Sequence, residues 1–391
     1  RLIYRFLFLI VTEERDLVYP ETRDEEVLRK KQIYYRYYSI ERLRKLAGKL
    51  LYADNSKDDL WEGMKSTFML FENKYYGEKL GIQALSSGIF ATDALRTLMT
   101  LRLDNCTLID TIAGLCFFVN NQTGQTVRVN YSDLDVEEFG SVYEGLLEYS
   151  PAFNLTNETP HFQLKEGKFR SDSGSHYTPE ELCKPLIQYS LEYILEERLL
   201  QSKIDKTIPL HRIIGQERET AIKALLGIKV CDVACGSGHL LLSAARRIAL
   251  EVARLYTGEE QPNPVAMRQA MRIVIKNCIY GVDKNPLAVE LCKVALWLEA
   301  HNPGEPLNFL DHHIKCGDSI VGLGHKEELM NGIPDEAFKA LPEDDKEIAK
   351  LYRTENKKGA GLIQQIGLFE NKVGDSLEEL IKQFDSLNQM Q

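Results

Sequence analysis

Three aspartates stand where short apolar runs end: Asp232 after Ile228-Lys-Val-Cys, Asp283 after Cys278-Ile-Tyr-Gly-Val, and Asp318 after Ile314-Lys-Cys-Gly. The first is followed by the small-residue run Ala234-Cys235-Gly236-Ser237-Gly238 and then by a helical pattern through Ala244, Ala245, Ile248 and Ala249. A strand, a glycine turn and a helix, in that order, bring backbone N–H groups to a ligand at the carboxyl edge of a sheet. Gly236 and Gly238 are the positions where a side chain would block that approach. Leu241 replaces the third glycine of the dinucleotide fingerprint, and no Gly-Lys-Ser/Thr follows as a phosphate-binding P-loop requires. What is left is a two-glycine turn suited to a ligand that need not carry phosphate.

The other two acids extend this edge. A carboxylate at Asp283 can take two hydrogen bonds from ribose hydroxyls, or it can serve the helix start at Asn285-Pro286, where Asn285 is a natural cap and Pro286 a natural first residue. Asp318 can accept from an exocyclic amine such as that of adenine. Further upstream, Ser175-His-Tyr-Thr-Pro-Glu-Glu carries a capping box, Thr178 with Glu181, and Pro179 at the first helical position. That is fully a helix start, although such a start also offers N–H groups to a carboxylate. His312, His313 and Cys316 lack a second ligand pair at zinc spacing, and Cys231 and Cys235 do no better, so no metal site is expected.

The elements that must position these residues follow from periodicity. From about Ser175 to Gly322, strands alternate with helices, which predicts an α/β sheet. Residues 1 to about 115 predict helices, beginning with a buried stripe through Leu2, Phe6, Ile10 and their neighbours. Between the two, Phe139–Tyr149 predicts a short helix, and Phe162–Phe169 a hairpin turning at Glu166-Gly167. Arg29 to Lys49 carries eight cations against Glu41, a net +7, interleaved with Tyr34, Tyr35, Tyr37 and Tyr38. Such a segment can bind nucleic acid. An amphipathic helix with a solvated basic face over packed tyrosines explains it better. The tail from Leu323 is polar, helix-leaning and net −5.

Composition excludes other classes. With 44% hydrophobic and 27% charged residues the 391-residue chain is globular rather than disordered or fibrous. Its longest apolar stretch, Leu2–Val11, is interrupted by Arg5 and falls short of the roughly 20 residues of a spanning helix. Eight scattered cysteines read as reduced intracellular thiols. A net charge of −10 argues against non-specific nucleic-acid binding by the whole surface. The first residue is Arg1 rather than methionine, which predicts a stretch of a longer protein.

Taken together, the residues resemble the S-adenosylmethionine-dependent adenine-N6 DNA methyltransferases, and among them the large fused type II restriction–modification and phage-defence enzymes. The matching stretches are HYTPEEL (176–182), DVACGSGHLL (232–241), YGVDKNPLAVELCKVALWLEAH (280–301) and KCGDSIVG (315–322), with GSVYEGLLE (140–148) as a lead-in. The resemblance implies a Rossmann-like methyltransferase sheet, partial in this chain, preceded by a mostly helical domain. It implies a helical connector over 1–138, the S-adenosylmethionine-binding half of a methyltransferase domain over 139–322, and a helical insertion or tail over 323–391. Tyr177, Thr178 and Pro179 would line the methionine end of the cofactor. Asp232 and the turn Ala234, Cys235, Gly236, Ser237 and Gly238 would hold its amino-acid part. Asp283, beside Lys284, would take the ribose hydroxyls, and Asp318, beside Ser319, the adenine amine.

One departure sets the functional expectation. These enzymes act on a flipped adenine and carry an Asn/Asp/Ser-Pro-Pro-aromatic loop after the third motif. This chain has no Pro-Pro dipeptide: Asn263-Pro264, Asn285-Pro286 and Asn302-Pro303 are followed by Val, Leu and Gly. The expectation is therefore the cofactor-binding portion of a site-specific DNA methyltransferase, with no catalytic residue of its own and unable to methylate DNA unaided. Double-stranded DNA and S-adenosylmethionine are the implied partners, no membrane is involved, and the prokaryotic cytoplasm is the implied location. Two alternatives from other classes are a non-catalytic S-adenosylmethionine-binding regulator or scaffold, and a methyltransferase acting on RNA or a small molecule.

Overall fold

The computed structural model describes residues 1–49, 54–85, 88–133, 140, 142, 145, 149–156, 159–167, 180–204, 207–300, 307–321, 339 and 346–354. Residues Arg1–Ser319 form one compact unit and Ile320–Gln391 a second. In the second, residues 346–354 are helical.

The first unit opens on α1 (Leu2–Glu14), which is buried continuously from Tyr4 to Glu13 rather than along a stripe. A helix apolar on nearly every side is wrapped on every side. Arg5 is fully buried within it. Its guanidinium pairs with Glu72, donates to the Ala91 carbonyl at 3.1 Å and lies 5.2 and 5.1 Å from the Phe68 and Phe90 ring centres. A buried charge requires such partners on each face.

The basic segment forms two helices, not one. α2 (Glu25–Tyr37) is capped by Asp24, whose carboxylate accepts from the Glu26 N–H at 2.8 Å. α3 (Ile40–Gly48) is capped by the Ser39 hydroxyl. Tyr34 is fully buried and Tyr35 and Tyr38 half-buried, so most of the tyrosines pack beneath, whereas Tyr37 is 54% exposed. Helices α4 (Asp59–Glu72), α5 (Lys74–Lys79), α6 (Arg96–Thr100) and α7 (Asn105–Cys116) follow, then the antiparallel pair β1 (Phe117–Val119) and β2 (Thr126–Arg128).

The second hairpin departs from the expected turn. Strands β3 (Tyr149–Thr156) and β4 (Thr159–Glu166) pair antiparallel over eight residue pairs, so Glu166 is opposite Tyr149 at the open end instead of in the turn. The longer ladder sets Phe153 directly opposite Phe162, ring centres 5.5 Å apart, a cross-strand pairing that a turn at Glu166-Gly167 would forgo.

Next come α8 (Glu180–Leu186), a π-helical turn over Ile187–Leu191, α9 (Glu192–Gln201) and α10 (Gly215–Leu226). Among the described residues the parallel sheet has three strands in the order β5 (Val230–Asp232), β6 (Ile279–Asp283), β7 (Ile314–Cys316), with Asp232 opposite Gly281 and Asp283 opposite Cys316. Helices α11 (His239–Thr257) and α12 (Pro264–Cys278) connect β5 to β6, and α13 (Pro286–Ala300) connects β6 to β7. This is a mixed helix-and-sheet fold. α13 is buried on nearly all sides, and its Trp297 ring meets Phe8 of α1 at 5.3 Å, joining the helical portion to the sheet portion in one core. Among the described residues no helix is long and apolar enough to cross a membrane.

Candidate functional site

β5 is short and ends on Asp232, and the chain must then turn sharply to enter α11. Asp232 starts the turn by accepting the Ala234 N–H at 3.0 Å. The Cys235 N–H donates to the Val282 carbonyl at 2.9 Å, and the Gly238 N–H to the Cys235 carbonyl at 2.8 Å. Gly236 and Gly238 adopt φ of +53° and +89°, the left-handed region that glycine enters at least cost.

The two glycines serve different ends. A Cβ on Gly236 would meet nothing within 4 Å among the described residues, so its outer face is open to them. A Cβ on Gly238 would stand 2.6 Å from Cys292 Sγ, so the turn is pressed against α13. Gly281, on β6 beneath the turn, is equally tight: a Cβ there would stand 2.9 Å from Leu241 and 3.1 Å from Cys235. The Cys292 thiol is hydrogen-bonded to Cys235 and fully buried, and that bond and the burial together push it well above the ordinary thiol value.

Asp283 ties the edge together. One carboxylate oxygen accepts the Gly236 N–H at 2.8 Å, and the other accepts the Asn285 N–H at 2.8 Å. Asn285 in turn accepts from the Leu287 N–H at 2.9 Å at the start of α13. The ribose reading and the helix-start reading of Asp283 are thus compatible, because a carboxylate has about four acceptor positions and two are used. The Gly317 N–H donates to the Asp283 carbonyl at 3.0 Å, drawing the end of β7 to the same edge. Beyond it, Asp318 is half-buried and pairs with the exposed Lys284 at 3.1 Å, while Ser319 is exposed.

The structure therefore brings Asp232, the turn Ala234–Gly238, Asp283, Lys284, Asp318 and Ser319 to the carboxyl edge of one parallel sheet. Tyr177, Thr178 and Pro179 lie outside the described residues. Sequence reading missed Cys292 and Gly281, which set the shape of the turn from below. Their only sequence signal was a small residue inside an apolar run, which does not announce a contact with a turn.

No family model matches the chain. Over 348 residues, covering 82% of this chain, it is 23% identical to a type II restriction enzyme and methyltransferase of Methanocaldococcus jannaschii. Over 141 residues, covering 32% of this chain, it is 31% identical to the adenine-specific methyltransferase PglX of Streptomyces coelicolor. Its relatives are restriction–modification and adenine-specific methyltransferases. The chain spans 27% and 11% of these relatives' own lengths. Among solved structures, 80% of it aligns with 37% of the type IIL restriction–modification enzyme MmeI, in complex with DNA, at 17% identity and a TM-score of 0.41. The methyltransferase resemblance carried by the four sequence stretches is thus repeated by one curated relative over most of the chain and by another over about a third of it. A methyl donor is what enzymes of that name require.

Proposed function

We propose that this chain is the cofactor-binding portion of a site-specific DNA adenine-N6 methyltransferase of a restriction–modification system, working in the prokaryotic cytoplasm. In this reading residues 1–138 are a helical connector, 139–322 carry the S-adenosylmethionine-binding half of a Rossmann-like methyltransferase domain, and 323–391 are an insertion or tail. The observation that carries it is the Asp283 carboxylate, which holds Gly236 of the turn and the start of α13 at once. That clamp fixes a two-glycine turn and the strand-end acids around one open edge.

The residues present fit the cofactor. The space outside Gly236 is the kind of cradle into which a Cβ would project, and no atom of the described residues lies within 4 Å of it. Asp232 and the backbone of Ala234–Gly238 would hold the amino-acid end, with Tyr177, Thr178 and Pro179 at the methionine side. The two unused acceptor positions of Asp283 suit a pair of ribose hydroxyls. Asp318 would accept the adenine amine, and its exposed pair with Lys284 is cheap to rearrange, since exposed ion pairs contribute roughly 0–1 kcal/mol. When bound, S-adenosylmethionine supplies an electrophilic methyl group. The protein's part here is to bind and orient the methyl donor at the sheet edge. The Pro-Pro-aromatic loop that would hold the flipped adenine is not among the 391 residues.

Calorimetric titration of the chain with S-adenosylmethionine tests the proposal. We expect saturable binding that Asp283→Ala removes, with no tritiated methyl transferred to mixed-sequence duplex DNA by the chain alone. Absence of heat from folded protein overturns the cofactor assignment, and label in the DNA overturns the division of labour.

A further inference from the structure

We infer that the exposed stripe of α2 running from Arg29 to Arg36 is a docking surface for the phosphate backbone of duplex DNA. The +7 segment divides into two sets in the structure. Lys30 pairs with Glu26 and Lys31 with Asp16, both at 2.6 Å, while Arg44 pairs with Glu14 and Glu41, and Lys45 with Glu41 at 3.4 Å. These cations neutralise the fold's own acids. Arg29, Arg36, Arg42 and Lys49 form no ion pair among the described residues, and Arg29, Arg36 and Lys49 are exposed.

Helical spacing puts Arg29, Gln32 and Arg36 on one face of α2, at i, i+3 and i+7, and all three are exposed. Seven residues of helix place the two arginines about 10 Å apart, the rise of roughly three phosphates of one strand measured along the duplex axis. Gln32 between them adds an uncharged donor. Tyr37 is itself exposed, and its ring centre lies 5.4 Å from the Arg36 guanidinium carbon, which holds that guanidinium against a rigid surface. The acidic end of the helix, Asp24, Glu25 and Glu26, lies before Arg29, so the cationic stretch runs toward α3, Arg42 and Lys49.

The setting selects a polyanion. With +7 confined to residues 29–49 of a chain whose net charge is −10, all the rest sums to −17. The acids of that remainder disfavour a polyanion, whereas the exposed cations Arg29, Arg36 and Lys49, unpaired among the described residues, admit one. Arginines and a glutamine that meet phosphates give register and affinity without reading bases. The choice of duplex DNA over other polyanions rests on the methyltransferase reading, whereas the existence of the cationic stripe does not.

The test uses the full 391-residue chain, two unrelated fluorescent duplexes and a salt series. Arg29→Ala with Arg36→Ala should weaken binding to both duplexes by the same factor, and should lower the slope of log affinity against log salt by about two. Arg268→Ala with Lys276→Ala, which removes two exposed cations of α12, should leave the slope unchanged. S-adenosylmethionine titration, run on every variant, should not change. An unaltered slope in the α2 variant, no binding of DNA by the parent chain, or equal binding of duplex RNA overturns the inference. Loss of cofactor binding in the parent chain with the DNA result intact would instead overturn the methyltransferase reading and leave the stripe standing.

Discussion

Gly236 and Gly238 are two residues apart, share a positive φ and read alike in the sequence, yet they answer to different constraints. Among the described residues a Cβ at Gly236 meets nothing and costs only the left-handed backbone, about 1–2 kcal/mol for a non-glycine residue. A Cβ at Gly238 adds collision with Cys292 Sγ at 2.6 Å and a φ of +89°. Gly236→Ala should therefore fold with a small loss of stability and lose cofactor binding, because its methyl group enters the proposed ligand space. Gly238→Ala should lose clearly more stability, measured by urea unfolding. Adding Cys292→Ala should recover part of that loss, because it removes the thiol but leaves the backbone strain. Equal stability of the two single variants would show that Cys292 does not press on the turn. The sequence made the glycines visible as a pair, but not the difference between them, because Cys292 reaches Gly238 only through the packing of α13 on α11.

The start of α13 was legible in the sequence, where a capping asparagine and a proline stand together at Asn285-Pro286. Asn263-Pro264 starts α12, with the Asn263 side chain accepting the Val265 and Ala266 N–H groups at 3.1 and 3.0 Å, and Asn285-Pro286 starts α13 in the same manner. The junction of α2 and α3 was not legible, because a remote residue secures it. Glu13, at the end of α1, accepts the Ile40 and Glu41 N–H groups at 2.9 and 2.8 Å and the Tyr34 hydroxyl at 2.7 Å. Burial lifts its carboxyl from an ordinary value near 4.5 to about 8, against the opposing pull of the Tyr34 hydroxyl, the Ile40 N–H and the charge of Arg44. A value raised in the folded state contributes stability that is complete below the ordinary carboxyl value and lost as pH climbs through about 8. The melting temperature should accordingly fall between pH 6 and pH 9, and Glu13→Gln, which cannot ionise, should flatten that fall, at a cost that does not depend on pH because its NH2 cannot accept the Glu41 N–H. An equally steep fall in Glu13→Gln, or a melting temperature of the parent chain that rises over this range, would show that Glu13 does not govern the dependence. The junction also explains why an uninterrupted basic helix was expected over Arg29–Lys49: local periodicity continues through Tyr38 and Ser39, and the buried acid of another helix joins the Ser39 cap in starting α3 afresh.

At the scale of the molecule, the sequence divided the chain into a helical part and an α/β part but gave no sign of how tightly they adhere. The contact is specific: Phe8, in the buried stretch of α1, lies against Trp297 of α13, whose other end begins at the Asp283 clamp, and both portions belong to the compact unit Arg1–Ser319. One apolar core runs through both. Unfolding of either portion would expose the shared face to water, at about 25 cal/mol for each Å² uncovered, so the two should melt together. The chain has two tryptophans, and Trp61 is in the helical part, where its indole N–H donates to the Leu101 carbonyl at 3.0 Å and its ring packs on Phe68. In a Trp297→Phe variant, which keeps an aromatic ring against Phe8, fluorescence reports Trp61 alone. Ligand bound only to the folded state adds about 2.7 kcal/mol of stability at a hundredfold excess over its dissociation constant. Saturating S-adenosylhomocysteine, bound at the sheet edge, should then raise the unfolding midpoint reported by Trp61 as much as the midpoint of far-ultraviolet circular dichroism. A Trp61 midpoint that stays fixed while the circular dichroism midpoint moves would show that the helical portion unfolds on its own. It would then be a connector attached to the cofactor-binding sheet rather than a part of its core.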